Sequence, residues 1–157
     1  MSRWTAAGAI VCILLVLAWM FLARWFRLNV SASIPLGLYR VHTPYRPLAP
    51  GMLVQFDVPS SVSVFHPSGL PLVKPVVGLP GSIVCDVDDV YRVDAEFYGP
   101  VYSERDGLPL PRFRGCYEAP PYTVIVATRV LGSLDSRYFG PLHEDAVVAI
   151  LTPVLTW

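Results

Sequence analysis

From Thr5 to Ala23 the chain reads TAAGAIVCILLVLAWMFLA, an apolar run with no charge in it. A helix crossing a bilayer core needs about 20 such residues, and no other segment geometry satisfies the backbone there except a closed barrel. Trp4, Trp19 and Trp25 stand near the ends of the run, where amphipathic rings favour the head-group level. A cleaved secretory signal has an apolar region of only roughly 7–15 residues and a small-x-small exit, which is weak here, so the expectation is an uncleaved anchor over residues 1–26. Beyond it the periodicity changes. Met52–Val58 alternates Val54, Phe56 and Val58 with Gln55 and Asp57, as a half-buried strand does. Leu72–Leu79 is apolar apart from Lys74 and Pro75, and Ile83–Val87 alternates again. Val124–Val130 and Ala146–Leu151 are rich in Val and Ile and predict further strands. Pro50-Gly51, Pro80-Gly81, Gly99-Pro100 and Gly140-Pro141 punctuate these runs. Many short strands with such turns predict a mainly β domain over residues 27–157, a small barrel or folded sheet, with residues 99–121 as a surface loop or excursion.

Composition refines this picture at few points. Hydrophobic residues make up 54% of the 157, and the mean hydropathy of +0.49 is largely the work of the first segment. Net charge is zero and no basic run interleaves with aromatics, which speaks against a nucleic-acid partner. Sixteen prolines argue against long interior helices after the first. Lys74 is the only lysine in the chain, all other basic residues being Arg or His. Cys12 falls in the apolar run. Cys85 and Cys116 could pair if the domain faces an oxidising compartment, or could be two unrelated buried thiols. His42, His66 and His143 lack metal-ligand spacing, and Asp86, Asp88 and Asp89 lack the calcium-loop pattern and read as a solvated loop, so no metal and no cofactor is expected.

Four segments carry the chemistry. They are Asn29-Val-Ser31-Ala-Ser33-Ile-Pro35-Leu-Gly37-Leu-Tyr39, Pro50-Gly51-Met-Leu-Val54-Gln-Phe56, Leu72-Val-Lys74-Pro-Val-Val-Gly78-Leu-Pro80-Gly81, and Gly132-Ser133-Leu-Asp135-Ser136-Arg137-Tyr138-Phe139-Gly140. In this order they resemble the boxes of the signal peptidase I family of serine proteases. The spacing S-x-P-x-G-x-Y, with Asn four residues before the Ser, is similar to the TraF-like branch, which serves conjugative transfer and matures pilin precursors. The resemblance implies a signal-peptidase-like β domain, Ser33 as nucleophile, Lys74 as general base, and Ser31 with the Ser33 backbone N–H as oxyanion donors. It also implies Ser133 as the hydroxyl orienting the lysine, and Asp135 with Arg137 as a supporting ion pair; Ser136 reads as a linker. The sequence departs from the family at Ser82, where an Asp usually follows Leu-Pro-Gly, at Ile34 after the nucleophile, and at Thr128-Arg-Val-Leu, where a G-D-N-R stretch is common.

The physics of the residues runs the same way. A serine hydroxyl attacks only when a base removes its proton, and a lysine is a base only when neutral. Burial among apolar groups favours the neutral amine, and Leu70-Pro-Leu-Val-Lys-Pro-Val-Val-Gly-Leu is such a setting. The competing expectation is that Lys74 snorkels from a strand edge to water. The resemblance implies, and this chemistry is compatible with, endoproteolysis of exported, membrane-tethered precursor proteins, with the lipid bilayer and conjugation or secretion machinery as further partners. The expected place is the inner membrane, single-pass, with the catalytic domain on the periplasmic side. Arg3 before the span against Arg24, Arg27 and Arg40 after it biases topology mildly the other way. A general signal peptidase and a catalytically inactive membrane-tethered binding module are the rival readings.

Overall fold

The first helix, α1 (Arg3–Trp25), covers the apolar run, and the stretch Ala7–Trp25 is long and apolar enough to span a membrane, with none of it packed inside the domain. The computed structural model describes residues 3–66 and 69–157; the side chain of Trp4, expected at the head-group level, lies outside the described part. The helix passes directly into β1 (Phe26–Asn29), which pairs antiparallel with β2 (Gly37–His42). β3 (Leu53–Phe56) is followed by a 3-10 turn at Ser60–Phe65 and then β4 (Leu72–Gly78). Next come β5 (Ile83–Val87), β6 (Val90–Val93), β7 (Glu96–Pro100), β8 (Glu104–Arg105), β9 (Leu108–Pro109), β10 (Gly115–Glu118) and β11 (Thr123–Val126). A short helix α2 (Ser136–Phe139), β12 (Leu142–His143) and the long β13 (Val147–Thr156) complete the chain.

These strands form a seven-stranded sheet in the order β1-β2-β13-β3-β4-β11-β12, a four-stranded sheet β10-β5-β6-β7, and the isolated β8-β9 hairpin. The domain is thus mainly β behind one apolar helix. The predicted strands at 52–58, 72–79, 83–87, 124–130 and 146–151 are present, shifted by a few residues at their ends. Residues 99–121 are a different matter. The expectation there is a surface excursion, yet β10 within them is an integral strand of the second sheet, with Cys116 directly opposite Cys85 and joined to it by a disulfide. Charge, Pro and Gly mask it because its partner lies far away in sequence.

The main core collects the inward faces of both sheets, including Val54, Phe56, Val76, Val84, Val93, Ile125 and Ile150. A second, small cluster of Ile34, Tyr39, Ala149 and Leu151 sits under the β1–β2 connection. At the β4–β5 corner, Leu79-Pro80-Gly81-Ser82 forms a turn closed by the Ser82 N–H on the Leu79 carbonyl at 2.9 Å, with Gly81 at φ +91° as the third position of such a turn requires. The Ser82 hydroxyl also accepts from the Leu79 N–H at 3.1 Å, so the residue standing where the family has Asp serves the turn locally.

Candidate active site

The turn that carries Ser33 is built from its own side chains. Asn29, the last residue of β1, donates its carboxamide to the carbonyls of Ser31, Ile34 and Pro35 at 2.8, 3.1 and 3.0 Å. Its oxygen accepts from the Ser31 hydroxyl at 2.8 Å. The Tyr39 hydroxyl donates to the Pro35 carbonyl at 2.7 Å, and Ile34 is buried against the small cluster. Gly37 has φ +155°, and a Cβ there would stand 2.2 Å from the Leu155 carbonyl oxygen, so the approach of β13 excludes any side chain. The spacing from Asn29 through Ser33, Pro35 and Gly37 to Tyr39 therefore has a mechanical meaning. Each fixed residue pins the turn that presents Ser33. Sequence reasoning used Asn29 only as a branch marker; an Asn ahead of a Ser-rich turn is a signal for such backbone capture.

Lys74 is delivered by strand geometry. Along β4, burial alternates strictly, and Leu72, Lys74, Val76 and Gly78 share the buried face. A period of two leaves the lysine no way out to water without flipping the whole strand. It is 2% exposed, so the snorkelling alternative is overturned. Its Nζ donates to Ser33 Oγ at 2.8 Å and to Ser133 Oγ at 2.8 Å. Three residues separated by 41 and 59 positions thus meet at one amine. Burial is the main cause that lowers the lysine pKa from the usual 10.5 to about 8; Asp135 opposes this, and Arg137 and Arg105 reinforce it.

The segment Ser133–Phe139 forms the back wall. Asp135 caps α2, its Oδ1 accepting from the Arg137 N–H at 3.2 Å and its Oδ2 from the Thr128 N–H at 3.2 Å. The Arg137 guanidinium meets the same carboxylate through Nε at 2.8 Å and through its NH2 group at 2.7 Å, a forked pair with both side chains 0% exposed. Its remaining N–H groups reach the carbonyls of Tyr98, Pro100, Thr128 and Val130. Arg137 is consequently a cross-brace between β7 and the segment after β11. Ser136, expected to be a linker, is buried, and its hydroxyl accepts from the Val126 N–H at 3.0 Å. That bond ties the box to the end of β11, and nothing in the local sequence distinguishes such a serine from a turn residue.

Ser31 is not brought to the amine in this arrangement; its hydroxyl is engaged by Asn29. The acidic group outside the site is also different from expectation. Asp86 is buried and bound by Arg112 at 2.6 Å instead of solvated, while Asp89 pairs with the same guanidinium at 2.6 Å and stays exposed. Among the described residues, no three His, Cys, Asp or Glu side chains converge as metal ligands.

Comparison with known proteins places this geometry in context. The family described as signal peptidase, peptidase S26, matches residues 1–156. A conjugal transfer protein TraF from Agrobacterium tumefaciens (strain 15955) is 34% identical over 84% of this chain and 83% of its own length. A plasmid transfer protein TraF from Escherichia coli is 30% identical over 97% of this chain and 96% of its own. A crystallised signal peptidase I from Enterococcus faecalis V583 aligns at 20% identity with a TM-score of 0.41, covering 69% of this chain and all of that one. With a match that runs from the first residue almost to the last, this chain belongs to the signal peptidase family, peptidase S26.

Proposed function

We propose that the protein is a membrane-anchored endopeptidase working through a Ser33–Lys74 dyad. The observation that carries this reading is the buried Lys74 amine, 2.8 Å from both Ser33 Oγ and Ser133 Oγ. A neutral amine has two N–H groups and one lone pair. It can donate to the Ser133 hydroxyl and accept the Ser33 proton, which reverses the Ser33 hydrogen bond. Ser33 Oγ then attacks the scissile carbonyl carbon while its proton passes to Nζ. The negative charge forming on the carbonyl oxygen is met by the Ser33 backbone N–H and by the Ser31 hydroxyl once it turns from Asn29. On collapse, Lys74 returns the proton to the leaving amine and an ester to Ser33 remains. A second nucleophile gives its proton to Lys74, cleaves the ester and frees Ser33. Asp135 and Arg137 hold the Ser133 segment in place throughout.

The substrate class follows from the anchor and the relatives. A helix of membrane-spanning length joined to β1 without a linker keeps the dyad near the bilayer, which raises the effective concentration of membrane-tethered precursors. Relatives named for conjugal and plasmid transfer point to a precursor of a transfer system, and we assign a pilin precursor. The second nucleophile is then water, or the precursor's own amino terminus, which gives a cyclic product. The Cys85–Cys116 disulfide supports an oxidising, periplasmic location for the domain at the inner membrane. Co-expression with a candidate pilin precursor, followed by mass spectrometry, tests this. A processed chain is expected, and a mass one water below the linear product marks cyclisation. A precursor left intact beside the wild-type enzyme, or rescue of a strain depleted of its general signal peptidase, refutes the specialised assignment.

The acid limb of the pH profile is a second expected result. Below about pH 8 the amine is protonated and cannot take the Ser33 proton, so kcat/KM should rise with pH through about 8 and level off above it. At pH 6, two units lower, the rate should be down by roughly 100-fold. A profile flat between pH 6 and 9 excludes Lys74 as the base.

A further inference from the structure

The stretch expected to be an excursion reaches back to the site. Asp106 and Gly107 have φ +52° and +75°, the signature of a tight two-residue hairpin turn, and they join β8 to β9. The hairpin is held to the body at its base. The Leu110 N–H bonds the Ser103 carbonyl at 2.9 Å, the Tyr102 N–H bonds the Tyr138 hydroxyl at 3.2 Å, and the Val101 N–H bonds the Asp89 carbonyl at 2.9 Å. Val101 and Leu110 are buried on either side, and Arg112 is clamped by Asp86 and Asp89. So short a hairpin buries little for itself, with Leu108 and Pro109 exposed, yet it is tied down by hydrogen bonds and an ion-pair cluster. What it delivers is Arg105, whose guanidinium donates to the carbonyl of Gly132, the residue before Ser133.

We propose that Arg105 is a positioning residue for the dyad: from the β8–β9 hairpin it clamps the Gly132 carbonyl, fixing the turn that presents Ser133 to Lys74, and it adds a positive charge at the flank of the site. The inference rests on the reading of Ser33 and Lys74 as the dyad. Its two parts are separable. The clamp acts on the hydroxyl that orients the amine. The charge acts on the amine itself, because a cation nearby disfavours a second cation. The other charged groups facing Lys74 are Asp135, which favours the ammonium form, and Arg137, which opposes it; both stay in place when Arg105 is changed. Gly132 has φ +67°, so the turn that Arg105 grips is one that depends on glycine and benefits from an external hold.

The test uses the chain's single lysine. In full-length protein labelled with 13C-lysine in detergent, Lys74 gives one titrating resonance. Arg105→Gln keeps a donor for the Gly132 carbonyl and removes the charge; Arg105→Met removes both. In Arg105→Gln the resonance should titrate at higher pH than in wild type, and kcat/KM at pH 7 should fall by roughly 3- to 10-fold, with the deficit closing by pH 10. In Arg105→Met the same titration shift should come with a lower plateau at pH 10 as well, since Ser133 is no longer held. A merely structural role for Arg105 would leave the lysine titration where it is. Unchanged titration in folded Arg105→Gln, checked by circular dichroism, overturns the charge effect, and a wild-type plateau at pH 10 in folded Arg105→Met overturns the clamp; Arg105→Ala gives the second reading if Arg105→Met does not fold. The titration needs no substrate, so its outcome is independent of the dyad assignment, which fails separately if cleavage survives Lys74→Met.

Discussion

Lys74→Met should abolish cleavage and make the protein more stable at pH 7. The loss of activity follows from removing the proposed base, whose Nζ lies within hydrogen-bond reach of Ser33 Oγ; removing one member of a nucleophile–base pair costs on the order of 10⁴-fold or more, and Ser33→Ala should cost about the same, with little added by combining them. The gain in stability follows from the lysine's burial. Its pKa is about 8 when folded and 10.5 ordinarily, so the unfolded chain holds the proton more tightly. Above about pH 10.5 the amine is neutral in both states and there is no penalty. As pH falls towards 8 the unfolded state takes up its proton first, and below 8 the penalty is complete, about 3 kcal/mol for a difference of this size. A methionine of similar length removes that penalty but leaves the buried Ser133 hydroxyl without its partner, which costs about 1–2 kcal/mol. A net gain of about 1–2 kcal/mol remains at pH 7 and turns into a net loss of about 1–2 kcal/mol near pH 11, where only the cost of the unpartnered Ser133 hydroxyl is left. Urea unfolding of the detergent-solubilised full chain at both pH values measures it. A variant that still cleaves ends the dyad reading, and one less stable than wild type at pH 7 shows that the amine's hydrogen bonds outweigh its desolvation.

The second large effect concerns Arg137. Replacing it with Met leaves the Asp135 carboxylate fully buried and uncompensated and deprives four backbone carbonyls of a donor. Breaking one side of such a pair costs about 3–5 kcal/mol. Arg137→Lys should recover only a small part, because one ammonium cannot bond both carboxylate oxygens and bridge to β7 and to the segment after β11. Asp135→Asn also leaves a buried charge without its counter-ion, but it should cost less than Arg137→Met, because the amide keeps an acceptor for the Thr128 N–H and the guanidinium keeps its four backbone carbonyls. The double variant should be less unstable than the sum of the singles, which marks the coupling as direct. The midpoint of urea unfolding reports each step. If Arg137→Met shifts stability by less than 1 kcal/mol, the brace between the sheets is carried by the apolar core alone.

How much of this could be read before the structure depended on whether a residue's role is local. Ser33, Lys74 and Ser133 were legible as parts of ordered boxes, and Lys74 also as the only lysine in an apolar strand. The apolar run around Lys74 suggested a buried amine but left snorkelling to water open, and the alternation of burial along β4 decided between them. Ser82 and Asn29 act on backbone within a few residues of themselves, and turn chemistry could have assigned them. Ser136 and Arg105 could not be assigned in that way. Each binds a backbone group ten or more residues away, at Val126 and Gly132, and composition around each suggested only a turn or a loop. Cys85 and Cys116 were left open for the same reason, since strand pairing between β5 and β10 decides their proximity.

The sequence by itself determined the apolar helix, the mainly β character of the domain behind it, and the residue types at the site. Hydrophobic period, turn residues and box spacing are properties of neighbours along the chain. Only the tertiary structure decided that the amine lies within hydrogen-bond reach of two hydroxyls 41 and 59 residues away, that its pKa falls to about 8, and that a hairpin from residues 104–109 grips the turn before Ser133. Distance and desolvation between remote segments are set by how the sheets pack, and no pattern along the chain contains them.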